Sequence, residues 1–88
     1  MIELTYFSSP TCSVCLHLKP RLKQAVGTSI RWTDIDISKA PEKAAANTVF
    51  TVPVVILTFE GQELARFVRV FGVQEVVNKI ENLQRKLS

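Results

Sequence analysis

The sequence predicts an α/β fold in one domain spanning residues 1–88: a four-stranded mixed sheet with helices on both faces, ordered β-α-β-α-β-β-α. Three observations carry this. Short β-favouring runs alternate with stretches of helical period, Glu60-Gly61 marks a hairpin, and the stretch from Val73 to Leu87 carries an amphipathic stripe. A chain of 88 residues has room for one core, and a hydrophobic fraction of 47% is globular rather than disordered.

The elements follow in order. Ile2 to Phe7 is a short β-favouring run, ended by Ser8-Ser9-Pro10. From Cys12 the pattern turns helical: Cys15, Leu18, Leu22, Ala25 and Val26 fall at the spacing of one helix face, and Gly27 stops it. Ile30 to Ile37, rich in β-branched and aromatic residues, reads as a second strand. Pro41 to Asn47 is a short helix, with Pro suited to its first turn and Asn to its end. Pro53 opens the most hydrophobic run, Val54 to Phe59, a strand expected to be buried on both faces. The tight connection Glu60-Gly61 returns the chain as Gln62 to Val70, an antiparallel edge strand carrying Arg66 and Arg69. After Gly72, the residues Val73, Val76, Val77, Ile80, Leu83 and Leu87 mark one face of a final helix. Strands separated by helices are expected to pair in parallel, with the hairpin adding an antiparallel end.

Composition excludes several functions. Eleven Lys and Arg against eight Asp and Glu give a net charge of +3, but the basic residues are scattered, so they read as solvated surface rather than a nucleic-acid arm. The longest apolar run, Val52 to Leu57, falls far short of the ~20 residues that span a bilayer. Met1-Ile2-Glu3-Leu4 has neither a basic leader nor a small-residue cleavage site, which sets the expected compartment as the cytoplasm. In that reducing environment a close cysteine pair is catalytic or metal-binding more often than structural.

Both cysteines lie in Pro10-Thr11-Cys12-Ser13-Val14-Cys15. A disulfide across two residues closes a tiny loop and removes little unfolded-state entropy, so it is a poor staple. Zinc needs four ligands, or three and an open position, and the chain offers two cysteines and one histidine. On the expected helix His17 points roughly 140° and 200° away from Cys12 and Cys15, at ~100° per residue. That leaves only a metal shared between two chains. Redox chemistry suits the pattern better: Cys12 falls at the start of a helix, where free N–H groups and the helix dipole stabilise a thiolate. Cys15 lies one turn deeper on the same face, within reach of a disulfide. Cys12 is therefore the expected attacking thiol, and Cys15 the thiol that resolves the mixed disulfide.

Further features accompany the pair: Pro20 eight residues past the first cysteine, Trp32-Thr33-Asp34-Ile35-Asp36 on the second strand, Thr51-Val52-Pro53, and Gly61 in the hairpin. Together they resemble the thioredoxin-fold proteins over nearly the whole chain. The resemblance implies that Pro20 is a tolerated kink and that Pro53 follows a cis peptide bond. It also implies that Thr51, Val52 and Pro53 form a platform whose backbone pairs with an extended peptide. Thr11, Val14 and Leu16 would rim the sulfur without charge. The implied activity is thiol–disulfide exchange on protein substrates by a monomer that needs no cofactor beyond its reversible Cys12–Cys15 disulfide.

Two departures stand out. Thioredoxins carry a buried aspartate six residues before the first cysteine, with a lysine partner on the second strand; here those positions hold Tyr6 and Trp32. In its first strand, with Tyr6 and Ser8-Ser9, the chain looks more like a glutaredoxin, so a glutathione-dependent enzyme is one alternative and a low-turnover redox-sensing module another. Against glutathione, the residues before Cys12 (Ser9, Pro10, Thr11) carry no charge, and Arg69 to Val73 has one Gly and no Asp to meet the tripeptide's carboxylates. The expected electron donor is accordingly a thioredoxin-reductase-type enzyme or another dithiol.

Overall fold

Alternation along each strand decides where the helices must go. The computed structural model describes residues 1–87; Ser88, the last residue of the expected domain, lies outside them. In strand β1 (Glu3–Ser8), Leu4 and Tyr6 point to one face and Phe7 to the other, and all three are buried. Both faces of the sheet therefore need cover. Helix α1 (Ser13–Val26) and helix α3 (Val73–Leu87) cover the first, packing Leu18, Leu22, Val26, Val76 and Ile80 on Leu4, Tyr6, Val55 and Leu57. Helix α2 (Pro41–Ala46) covers the second, where Ala44 and Val49 meet Phe7, Val54 and Ile56. Strand β2 (Arg31–Asp36), strand β3 (Val54–Phe59) and strand β4 (Gln62–Val68) complete the expected order, β-α-β-α-β-β-α.

The sheet runs β2-β1-β3-β4. Its β1–β2 pair is parallel, but β3 pairs with β1 antiparallel, Phe7 lying opposite Val54, and so departs from the parallel pairing expected across α2. The reason is length. A parallel crossover must carry the chain back along the whole strand, and the six residues of α2 rise only about 9 Å at 1.5 Å each. The chain re-enters the sheet at the end where β2 left it. β3 is central; of the run expected to be buried on both faces, Val54 to Leu57 are buried while Thr58 and Phe59 are only half-buried, and β4 is an edge as expected.

The ends of several elements differ from the sequence reading. Strand β4 stops at Val68 rather than Val70, because its partner begins at Val54 and the preceding Pro53 has no N–H to extend the ladder. The Pro53 carbonyl instead accepts the Arg69 N–H at 2.9 Å, and Arg69 turns to φ +62°. Ala25 and Leu87, expected on buried faces, are exposed, since each lies at the margin of a stripe that Val26 or Leu83 already closes. The hairpin residues Glu60 and Gly61 both have positive φ, the geometry whose twist matches the flanking strands.

Arg66 is not merely an edge charge. It pairs with Glu63 at 2.8 Å and reaches past the end of α2, donating to the carbonyls of Asn47 (2.9 Å) and Thr48 (3.3 Å). Those bonds hold Thr48, a β-branched residue, at φ +53° and so aim the segment that leads into Thr51–Pro53. Arg66→Met should lower stability by about 1–2 kcal/mol. The readout is a lower urea midpoint at unchanged slope. Arg66→Lys should restore only part of it, because an ammonium cannot span the same carbonyls.

Candidate active site

The turn after β1 places the first cysteine. The Cys12 N–H donates to the Ser9 carbonyl at 3.2 Å, and Cys12 itself is the extended N-cap residue of α1. Its Sγ accepts the Cys15 N–H at 3.2 Å, in the position where a serine or aspartate would cap a helix. No acidic side chain stands in the first turn to repel an anion there. Cys12 and Cys15 are joined in a disulfide with Cα atoms 5.2 Å apart. Cys12 is half-buried and Cys15 is 1% exposed. The helix then runs through Pro20; Leu16 and Pro20 both lie on its exposed side, so the carbonyl that loses its donor is on the wet face. His17 is exposed too, and no group of three or more His, Cys, Asp or Glu side chains able to hold a metal gathers among the described residues.

The rim on the Cys12 side of the disulfide is uncharged and partly apolar. Thr11, Val14 and Leu16 are exposed, with the Thr11 and Ser9 hydroxyls 3.2 Å apart. The register that sets Val54 opposite Phe7 puts Thr51, Val52 and Pro53 at the end of the sheet from which the cysteine turn departs. The Val52–Pro53 bond is cis, as the resemblance implied; Pro53 is buried, and Thr51 and Val52 are half-buried. Two further apolar residues flank this segment and were not singled out from the sequence: Phe50, 81% exposed, and Val70, 92% exposed. Isolated apolar residues in loops carry no signal until the fold sets them beside a site.

Behind Cys15 the residues are polar but unlike those of a thioredoxin. The Tyr6 hydroxyl donates to the Cys15 carbonyl at 2.8 Å inside the core. Burial, with a smaller contribution from the Asp34 carboxylate, pushes its pKa up to about 12, so it stays protonated. Trp32 packs on the Tyr6 ring at 5.5 Å, with the Lys23 ammonium 5.6 Å from its centre. A cavity of about 270 Å³ opens beside them, lined by Tyr6, Cys15, Lys19, Asp34, Asp36 and Ser8 among others. On its wall Lys19 and Asp34 form an ion pair at 3.1 Å, both side chains about two-fifths exposed. One sequence signal could have found Lys19: it stands four residues after Cys15, hence on the same side of α1. Asp34 needs the strand register, which sets it opposite Tyr6.

A mixed four-stranded sheet with a disulfide-forming pair at the N-terminus of its first helix defines a thiol–disulfide oxidoreductase of the thioredoxin fold. Comparison with known proteins places the chain within that class. The thioredoxin family model matches residues 2–82, and the chain belongs to the thioredoxin family. It is similar to the thioredoxin-like protein YdfQ of Bacillus subtilis, with 30% identity over 82 residues that cover 91% of this chain and 73% of that one. Among solved structures, thioredoxin 1 of Thermosipho africanus superposes with a TM-score of 0.89 at 34% identity, covering 94% of each chain. A mutant thioredoxin from Halobacterium salinarum shares the fold, with a TM-score of 0.84 at 22% identity over 92% of this chain and 73% of that one. No helix among the described residues is long and apolar enough to cross a membrane.

Proposed function

We propose that this chain reduces or exchanges disulfides of protein substrates through Cys12-Ser13-Val14-Cys15, acting as a single-domain cytoplasmic monomer. The observation that carries the reading is the asymmetry of the pair: a half-buried Cys12 whose sulfur meets a helix N–H, and a Cys15 sealed beneath it. The reduced Cys12 thiolate attacks the substrate disulfide and forms a mixed disulfide; Cys15 then attacks Cys12 Sγ, closes the intrachain disulfide and releases the substrate as a thiol. Thr51, Val52 and Pro53 hold the substrate backbone, while Thr11 and Val14 rim the sulfur. Exposed Leu16, Phe50 and Val70 suit an unfolded or extended polypeptide rather than a charged small molecule.

The disulfide itself serves as the redox group, with no metal or organic cofactor, and electrons come from a thioredoxin-reductase-type enzyme or a protein dithiol. Glutathione is disfavoured by the uncharged Ser9-Pro10-Thr11 approach. The protein should accelerate insulin reduction by dithiothreitol at catalytic concentration, and turn over slowly when coupled to glutathione and its reductase. Silence in the insulin assay would favour the redox-sensing reading, to which the protonated Tyr6 behind Cys15 lends support. Fast glutathione-coupled turnover would favour a glutaredoxin-like enzyme.

A further inference from the structure

Closing the intrachain disulfide requires Cys15 to lose a proton while it is cut off from bulk solvent. Its hydroxyl neighbour cannot take that proton: Tyr6 is itself a donor, committed to the Cys15 carbonyl. The remaining exit is the cavity that Cys15 lines. The titratable groups on its wall are Tyr6 from β1, Lys19 from α1, and Asp34 and Asp36 from β2. Lys19 is a cation and Tyr6 a protonated phenol. Ser38 donates its hydroxyl and N–H to one Asp36 oxygen at 2.6 and 2.9 Å and so holds that carboxyl below the ordinary range, which makes it a poor proton acceptor. Asp34 is left. Its register partner is Tyr6, which turns its carboxylate to the α1 side of the sheet, and Lys19 fixes one of its oxygens. The cavity volume of about 270 Å³ has room for several waters at ~30 Å³ each.

Resting on the proposed function, we propose that Asp34 is the proton-accepting positioning residue of the resolving step, drawing the Cys15 proton through water in this cavity while Lys19 holds its carboxylate in place. The Cys15 S–H proton passes to the carboxylate. The Cys15 sulfur then attacks Cys12 Sγ, forming the Cys12–Cys15 bond as the bond from Cys12 to the substrate sulfur breaks. The substrate thiolate departs with the electron pair; the cysteine pair is oxidised by two electrons and the substrate disulfide reduced. Asp34, two-fifths exposed, returns its proton to solvent.

The test separates the two steps. Reduced protein is mixed in stopped flow with dithiobis-nitrobenzoate, which releases one coloured thiolate when Cys12 attacks and a second when Cys15 resolves. Asp34→Asn should leave the first phase within about twofold and slow the second on the order of 10–100-fold near neutral pH. The gap should close at high pH, where hydroxide takes the proton instead. Asp34→Glu should recover much of the rate. Lys19→Met, which breaks the same ion pair but keeps the carboxylate, should slow the second phase far less. An unchanged second phase in Asp34→Asn, or equal slowing at every pH, overturns the proposal and leaves the cysteine assignment standing. A wild-type first phase that survives Cys12→Ser overturns both. The unmodified protein provides a check that does not depend on any variant folding. If Cys15 ionised straight into solvent, its resolving rate would fall tenfold per pH unit below the ordinary thiol range of about 8.5. That profile overturns the relay, and a rate sustained to lower pH supports it.

Discussion

Cys15→Ser should accumulate a stable mixed disulfide with protein substrates, whereas Cys12→Ser should accumulate none and lose insulin reduction by on the order of 10³-fold or more. The two sulfurs differ in environment, not in chemistry. Cys12 occupies the N-cap of α1, where the Cys15 N–H points at its sulfur and the helix dipole favours negative charge. Such placement lowers a thiol below its ordinary range of about 8.5 and so raises its thiolate fraction near neutral pH. Cys15, sealed in the core, gains no such exposure. Alkylation of the reduced protein followed by peptide mapping should therefore label Cys12 at least about tenfold faster. Equal rates, or a faster Cys15, would reverse the assignment of roles.

The second large effect concerns Tyr6, the only tyrosine in the chain, which makes its titration readable by tyrosinate absorbance without any labelling. It should titrate near 12 instead of the ordinary 10, because ionisation would leave an anion buried in the core and facing Asp34. The sign follows from linkage. A folded-state pKa raised above the unfolded value means that the folded protein holds this proton more tightly. The contribution is fully present below pH 10 and is lost as pH rises through about 12. Two units correspond to about 2–3 kcal/mol. Urea unfolding of the wild type should show this loss in alkaline solution, and Tyr6→Phe should not. At neutral pH Tyr6→Phe should cost about 1 kcal/mol, the net worth of the hydroxyl's bond to the Cys15 carbonyl. A tyrosinate transition near 10 in the folded protein would show the hydroxyl to be solvated.

Much of this architecture is legible locally. The 3.6-residue spacing of Cys15, Leu18, Leu22 and Val26 marks the buried face of α1, and the β-favouring run from Ile2 to Phe7 marks β1. Pro41 and Glu60-Gly61 mark a helix start and a turn through their own backbone preferences, and the cysteine spacing at a strand-to-helix turn marks the site. These are properties of residues a few positions apart, so a linear reading reaches them. Strand ends resisted the same reading. β4 looks as though it should continue to Val70, and only the position of Pro53 on the neighbouring strand stops it at Val68.

The sequence by itself determined the alternation of elements, the cysteine pair and the replacement of an acid by Tyr6, because each depends on side-chain type and short-range period. Tertiary structure alone decided the antiparallel entry of β3, which follows from where a six-residue α2 can deliver the chain. It also decided Arg66's hold on the Asn47 and Thr48 carbonyls just past α2, eighteen or more positions away along the chain. The last such decision lies behind Cys15. Lys19 and Asp34 are fifteen residues apart and each looks like ordinary surface charge. Only the β1–β2 register and the packing of α1 bring them to the wall of one cavity with a buried thiol, since long-range contacts are set by which faces must be covered rather than by neighbours in sequence.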